Sequence, residues 1–409
     1  SIVVGRFVGK EALAAVGGSV NQIVNLVVEV FVGLTSGASV ITAQFYGAKD
    51  RKNLNKTLHT SYAFGIATGF VVGVFGFFMT DTVLTLMKTP QELMADSRIY
   101  LHIYFCGMIF NIIYNMGASI LRAVGDSRRP LYILMITCGL NIVLDIILVV
   151  VCRLGVMGVA LATVSCQGIS SALVTAMLMK ENPLFQLKLR KIRFYGVSLK
   201  SVLRIGIPAA LEATMYTIAN LIIQVFVNEL GTDTVAAWGT FAKIDAVYWM
   251  VVNAFAISIT TFVGQNYGAG DMARCRRVGV ITTAQNLVVC VIIGAPILYF
   301  SPSLLQLFTS DAMVISYGVT RMCYIILAEP LNLAIEMISA YLRGFGNSLA
   351  PALITVVGIC GFRILYMWAV FPAIPSFDCL MTVYPLSWLV TVVGLSVLLF
   401  RTRKKYILG

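Results

Sequence analysis

Apolar positions in this chain fall in long unbroken runs rather than in stripes, and the lengths of the runs set the fold. A helix that crosses a bilayer needs about 20 mostly apolar residues. Eleven runs meet that length: 13–46, 54–78, 96–121, 130–151, 156–179, 200–229, 235–264, 273–300, 313–342, 351–371 and 383–400. All far exceed the roughly 9–11 residues of a membrane β-strand, so the runs predict helices.

The polar residues between the runs sort by side. One set of loops carries Lys49, Arg51, Lys52 and Lys56, then Arg122, Arg128 and Arg129, then Lys180, Lys188, Arg190, Lys191, Arg193, Lys200 and Arg204. It continues with Arg274, Arg276, Arg277 and Arg343, and ends at Arg401, Arg403, Lys404 and Lys405, which makes 22 of the 30 Lys and Arg. The alternate loops hold only Arg6, Lys10, Lys88, Arg98 and Arg153. Loops rich in Lys and Arg stay in the cytoplasm. The C-terminus is therefore expected inside and, with eleven spans, the N-terminus outside.

An internal repeat accounts for the odd number. At an offset of 221, Gln44-Phe45-Tyr46-Gly47-Ala48-Lys49-Asp50 aligns with Gln265-Asn266-Tyr267-Gly268-Ala269-Gly270-Asp271. The same offset aligns Leu121-Arg122, Gly125, Ser127 and Pro130 with Leu342-Arg343, Gly346, Ser348 and Pro351. At 222, Gly9 and Ala14-Ala15-Val16-Gly17 meet Gly231 and Ala236-Ala237-Trp238-Gly239. The chain therefore reads as two homologous six-helix bundles, parallel because six spans separate equivalent points. Ser1 corresponds to about residue 223, inside the run 200–229, so most of a first helix is expected to be missing. The expected division is an N-terminal lobe over 1–179, a basic cytoplasmic linker over 180–199, a C-terminal lobe over 200–400 and a basic tail over 401–409.

Composition agrees. Of 409 residues 59% are hydrophobic and 12% charged, and the mean hydropathy is +0.89; soluble domains carry roughly 25% charge. Soluble enzymes, disordered chains and nucleic-acid binders are excluded, and the net charge of +12 becomes a topology signal. No secretory signal pattern stands at the start. Most of the nine cysteines lie inside apolar runs without metal-ligand spacing, as small buried hydrophobes do. Cys152 and Cys379 alone fall near loops of one side, where a disulfide is conceivable.

Ionisable groups inside the runs carry the candidate chemistry. A charged side chain at mid-bilayer costs about 2.5–3.5 kcal/mol, so it faces a cavity or a partner. Glu212, Tyr216, Asn220, Gln224 and Asn228 recur every fourth residue, a polar stripe on one helix face. Glu329, Asn332, Glu336 and Ser339 share another face, as do Asn21, Asn25 and Glu29. Asn141 and Asp145 stand one turn apart, and Asp245 one turn before Trp249. The amides suit interhelical bonding. The six carboxylates suit a cation or proton better, because Lys243 and Arg363 are the only bases expected deep in the spans. Gly65, Gly69 and Gly73 predict close helix packing, and Pro208 and Pro330 a kink or break beside a carboxylate. His59 and His102 receive no role, and the linker is expected to touch anionic lipid head groups.

No HExxH, Asp-rich diphosphate motif or GxxxxGK[ST] loop is present. A duplicated helical bundle with intramembrane carboxylates reads as a secondary transporter rather than an enzyme, with no cofactor.

Five runs sharpen this. Gly5-Arg6, Gly9 and Ala12-Leu13-Ala14-Ala15-Val16-Gly17; Gln44-Phe45-Tyr46-Gly47-Ala48; Leu121-Arg122-Ala123-Val124-Gly125-Asp126; Asn141-Ile142-Val143-Leu144-Asp145; and Gly264-Gln265-Asn266-Tyr267-Gly268-Ala269-Gly270 together resemble the multidrug and toxic compound extrusion (MATE) family, along the whole chain and in order. The resemblance implies two six-helix lobes around a central cavity in the cell membrane, exporting organic, mostly cationic compounds against Na⁺ or H⁺. It implies a cation site at Asn141, Asp145 and Thr163, with possible Na⁺ at Asp145; the remaining carboxylate of that site would stand just before Ser1. Another branch places a Glu near Tyr216 and an Asp near Asn332, neither acidic here, although Glu212 and Glu336 stand one turn away. Glu212, Tyr216, Asn220, Asn332, Glu336 and Glu29 are thus candidates for a substrate or proton cavity. Exchange at Asp145 is the expected mechanism, and the chain without its upstream helix is expected to be inactive. Organic cations and membrane lipids are the expected partners, nucleic acid is not, and a monomer is expected. A flippase for lipid-linked saccharides is the rival reading and would need a more basic cavity.

Overall fold

A computed structural model describes residues 9–87, 89–181 and 185–406. The Gly5-Arg6 pair, Lys88 and the last three residues of the tail lie outside the described residues, as do the side chains of Lys10, Arg403, Lys404 and Lys405.

Described residues form helices and connections, without strands. In order these are α1 (Lys10–Gly17), α2 (Ser19–Gly47), α3 (Arg51–Leu86), α4 (Gln91–Cys106), α5 (Met108–Ala123), α6 (Arg128–Asp145), α7 (Gly155–Met179) and α8 (Gly196–Glu229). They continue with α9 (Thr232–Gly268), α10 (Met272–Tyr299), α11 (Ser301–Gln306), α12 (Ala312–Gly344), α13 (Leu349–Thr355), α14 (Phe362–Ala369) and α15 (Phe377–Tyr406). Wider π-helical stretches follow α6 over Ile146–Val151 and join α13 to α14 over Val356–Gly361.

Among the described residues ten helices are long and apolar enough to cross a membrane, and the α4–α5 pair, bent by 50°, makes an eleventh if taken as one span. They coincide with the eleven runs. The bend sits at Gly107, where an added Cβ would collide with Val164 of α7. The glycines of α3 admit this bend: a Cβ at Gly69 would stand 2.8 Å from Ile109 Cα, and one at Gly73 2.7 Å from the Phe105 carbonyl oxygen. Pro208 and Pro330 break nothing, since α8 and α12 run through them. All nine cysteines, Cys152 and Cys379 included, are free thiols.

The chain divides into two units between Gly206 and Ile207, inside α8. The repeat is visible in their turns. In the first unit the Ala48 amide donates to the Gln44 carbonyl, the Asp50 amide to Phe45, and Lys49 has φ 55°. In the second the Ala269 amide donates to Gln265, the Asp271 amide to Asn266, and Gly270 has φ 77°. Each turn ends in an aspartate whose carboxylate caps the next helix, on the Asn53 amide at 3.1 Å and the Arg274 amide at 2.8 Å. The Asn53 bonds hold the Asp50 carboxyl below the usual range. Gly125 and Gly346 likewise share positive φ, 96° and 86°, the left-handed region that glycine tolerates best.

Cores in each unit are aliphatic and aromatic. Leu101, Met108, Ile112 and Ala160 centre one cluster of the first unit, and Ile120, Leu121, Val174 and Leu178 another. Phe241, Met322, Leu380 and Leu395 lie at the centre of the second unit. Large apolar side chains such as Phe78, Leu327, Trp368 and Phe400 are 69–78% exposed, as a lipid-facing surface requires.

Candidate functional site

In the first unit, polar groups gather where α4, α6 and α7 meet. Asp145 closes the regular part of α6, just before the π-helical stretch. Its side chain is buried, and its Oδ1 has no hydrogen-bond partner. A buried acceptor without a donor is uncommon and calls for a ligand or a proton. Asn141, one turn earlier, pairs with Cys166 of α7, and Thr163 pairs with the Tyr100 hydroxyl of α4 while donating to the Val159 carbonyl at 2.9 Å. Asp145 lies within electrostatic reach of both Tyr100 and Cys166. Asn141, Asp145 and Thr163 are thus brought together. Tyr100 and Cys166 join them unforeseen, because neither belongs to a polar stripe. Glu29 is exposed on the Asn21–Asn25 face of α2.

The second unit organises its polar residues differently. Glu212 of α8 is buried and accepts from Arg343 Nη2 of α12 at 3.1 Å. Glu336, half-buried two turns after Glu329 on α12, lies within electrostatic reach of both partners. Asn332 bridges two neighbours: its amide donates to Glu329 Oε1 at 2.7 Å, and its Oδ1 accepts from the Tyr216 hydroxyl at 3.5 Å. Asn220 accepts from Arg363 Nη1 at 3.2 Å. Gln224 and Asn228 pair with each other at 2.9 Å. Glu212, Tyr216, Asn332 and Glu336 therefore lie within electrostatic reach of one another across α8 and α12, and Asn220 reaches the same region through Arg363 of α14.

The acidic excess in the second unit is smaller than the sequence suggests. Arg321 and Arg363 are buried, 6% and 2% exposed, whereas Lys243 is exposed with its ammonium 5.3 Å from the Phe308 ring centroid. Arg343, which reads as a loop residue in the sequence, sits in the last turn of α12 and neutralises Glu212. Three arginines thus accompany Glu212, Asp245, Glu329 and Glu336. Asp245 and Glu329 line one small cleft with Phe241 and Tyr248. Among the described residues no group of three or more His, Cys, Asp or Glu is arranged to hold a metal ion.

Comparisons with known proteins bear on the fold and the family. The MatE family model matches residues 1–147 and 208–369. The chain is 29% identical over 371 residues to the probable multidrug resistance protein YoeA of Bacillus subtilis, covering 89% of this chain and 80% of YoeA. It is 26% identical to the probable multidrug resistance protein NorM of Thermotoga maritima, with 87% and 77% covered. A crystal structure of a MATE protein in a bent conformation superposes with a TM-score of 0.89 at 21% identity, over 99% of this chain and 91% of that one.

Proposed function

This chain belongs to the MatE family, a multi-pass membrane transporter of drugs and toxic compounds rather than an enzyme, and from that premise we propose that it is an antiporter driven by Na⁺ or H⁺ at Asp145. The observation that carries the reading is the buried Asp145 carboxylate with its unpartnered Oδ1. A proton satisfies such an oxygen directly. Na⁺ does so through hard oxygen donors, and the Asn141 amide and the Thr163 and Tyr100 hydroxyls supply them nearby.

Coupling follows from competition between conformations. Ion binding neutralises Asp145 and favours the packing of α4, α6 and α7 in which it is buried. Cargo binding favours another packing, so each ligand weakens the other through one equilibrium. With Na⁺ or H⁺ entering down an inward gradient, antiport carries the cargo outward across the cell membrane. Exposed Lys188, Arg190, Lys191 and Arg193 suit contact with anionic head groups.

Ethidium efflux from vesicles containing the protein, under an imposed Na⁺ or H⁺ gradient, tests this. Efflux under one gradient and not the other is expected. Equal efflux with no gradient would refute antiport.

A further inference from the structure

Three buried hydrogen-bond donor atoms of the second unit, on Arg321 and Trp388, lack acceptors. Arg321 is 6% exposed, and neither its Nε nor its Nη1 has a hydrogen-bond partner. Trp388 is 4% exposed, and its Nε1–H is likewise unpartnered. Arg363, 2% exposed, gives Nε to the Ser387 hydroxyl and Nη1 to Asn220 Oδ1, each at 3.2 Å, both neutral oxygens. No ion pair joins either guanidinium to a carboxylate among the described residues.

Aromatic rings hold these donors together. The Arg321 guanidinium lies 3.1 Å from the Trp238 ring centroid and 4.7 Å from that of Phe241. Arg363 lies 4.3 Å from the Tyr384 centroid. Tyr384 contacts Trp238 at 6.2 Å and Trp388 at 5.9 Å between centroids. The two arginines are within electrostatic reach of each other, with Asp245 near Arg321 but accepting neither Nε nor Nη1.

Two buried guanidiniums within electrostatic reach of each other, with Asp245 the one carboxylate that acts on Arg321 and unpaired donors left over, favour an anionic partner. A planar guanidinium fork matches a carboxylate or phosphate, and the rings beside it match a flat hydrocarbon. We propose that Arg321, Arg363 and Trp388 form an anion subsite that takes the carboxylate or phosphate of an aromatic organic compound. The inference rests on the transporter reading only in treating that compound as cargo.

The test uses the protein in lipid nanodiscs and calorimetric titration against empty discs. The probes are 2-naphthoate, 1-naphthyl phosphate and the neutral 2-naphthamide. One anion should bind tighter than the amide by about tenfold or more. Arg321→Gln, and Arg363→Gln separately, should remove that preference while leaving amide binding in place. Trp388→Phe keeps the ring, loses the N–H and should weaken the anion alone. Arg321→Lys, which keeps the charge, guards against a folding defect and should retain part of the preference. Equal binding of all three probes by the unsubstituted protein, or binding of neither anion, would overturn the subsite. If ethidium efflux persists in that case, the transport reading survives. If the anion is preferred but no solute moves under either gradient, the subsite stands and the transport reading falls.

Discussion

His59 on α3 joins its own helix to the linker that follows α7. Its Nε2 accepts the Lys188 backbone N–H at 3.1 Å, and its Nδ1 stands 2.7 Å from the Asn55 carbonyl oxygen. An amide can only donate and a carbonyl only accept, so the ring must be neutral with its proton on Nδ1. One residue on, Thr60 Oγ1 accepts the Tyr195 amide at 3.1 Å, and Phe185 and Leu187 are buried beneath. The linker is thus clasped to the first unit. His59→Leu should loosen it by about 1 kcal/mol, read as faster hydrogen exchange at Lys188 and faster trypsin cleavage after Arg190 and Lys191. Unchanged exchange and unchanged cleavage in His59→Leu would remove the clasp.

Asp145→Asn keeps the shape of the side chain and removes its charge. Gradient-driven ethidium efflux should fall to background, while ethidium binding persists. Tyr100→Phe should act in the same direction more weakly, since it withdraws one oxygen that pairs with Thr163. Efflux by Asp145→Asn equal to that of the unsubstituted protein would move the coupling site elsewhere.

Glu212 and Arg343 should prove interdependent. Each is largely buried, with side chains 10% and 20% exposed. Glu212→Gln or Arg343→Gln alone strands a charge and should lower stability by about 3–5 kcal/mol. The double substitution should recover much of that loss, as read from thermal denaturation in detergent. Additive losses would mean the pair does not interact.

Gly206 and Gly37 let two backbones touch. A Cβ at Gly206 would stand 2.6 Å from the Leu34 carbonyl oxygen, and one at Gly37 2.7 Å from the Gly206 nitrogen. Gly206→Ala should therefore lower stability by about 1–3 kcal/mol. Gly139→Ala, on α6 with nothing within 4 Å, is the control and should be neutral or gain up to about 1 kcal/mol. A similar loss at both positions would show that the crossing does not matter.

The helices were legible because lipid leaves the sequence little choice: each span needs a long apolar run, and the runs are there. The turns were legible for another reason, since an internal copy of Gln44–Asp50 exposes which positions the backbone constrains. Partnerships were not. Arg343 looks like one more basic loop residue until α12 extends to Gly344, and Arg321 looks like a span end until Trp238 and Phe241 close around it. Periodicity places a residue on a face but does not say which face it meets. The same gap hid Tyr100, whose value lies entirely in reaching Thr163 from another helix. Nor does a proline in a run say whether the helix breaks there: α8 and α12 continue through Pro208 and Pro330.

The π-helical stretches carry a consequence for ancestry. In the first unit the wide turn follows Asp145; in the second it precedes Arg363, on the helix that descends from the same ancestral segment. One added residue rotates everything beyond it by about 100°. The two copies therefore differ in register along this helix, where the 221-residue offset sets Asp145 against Tyr366 and Arg363 against Ile142. A chimera of two identical halves would carry the acid twice or the base twice, and never both.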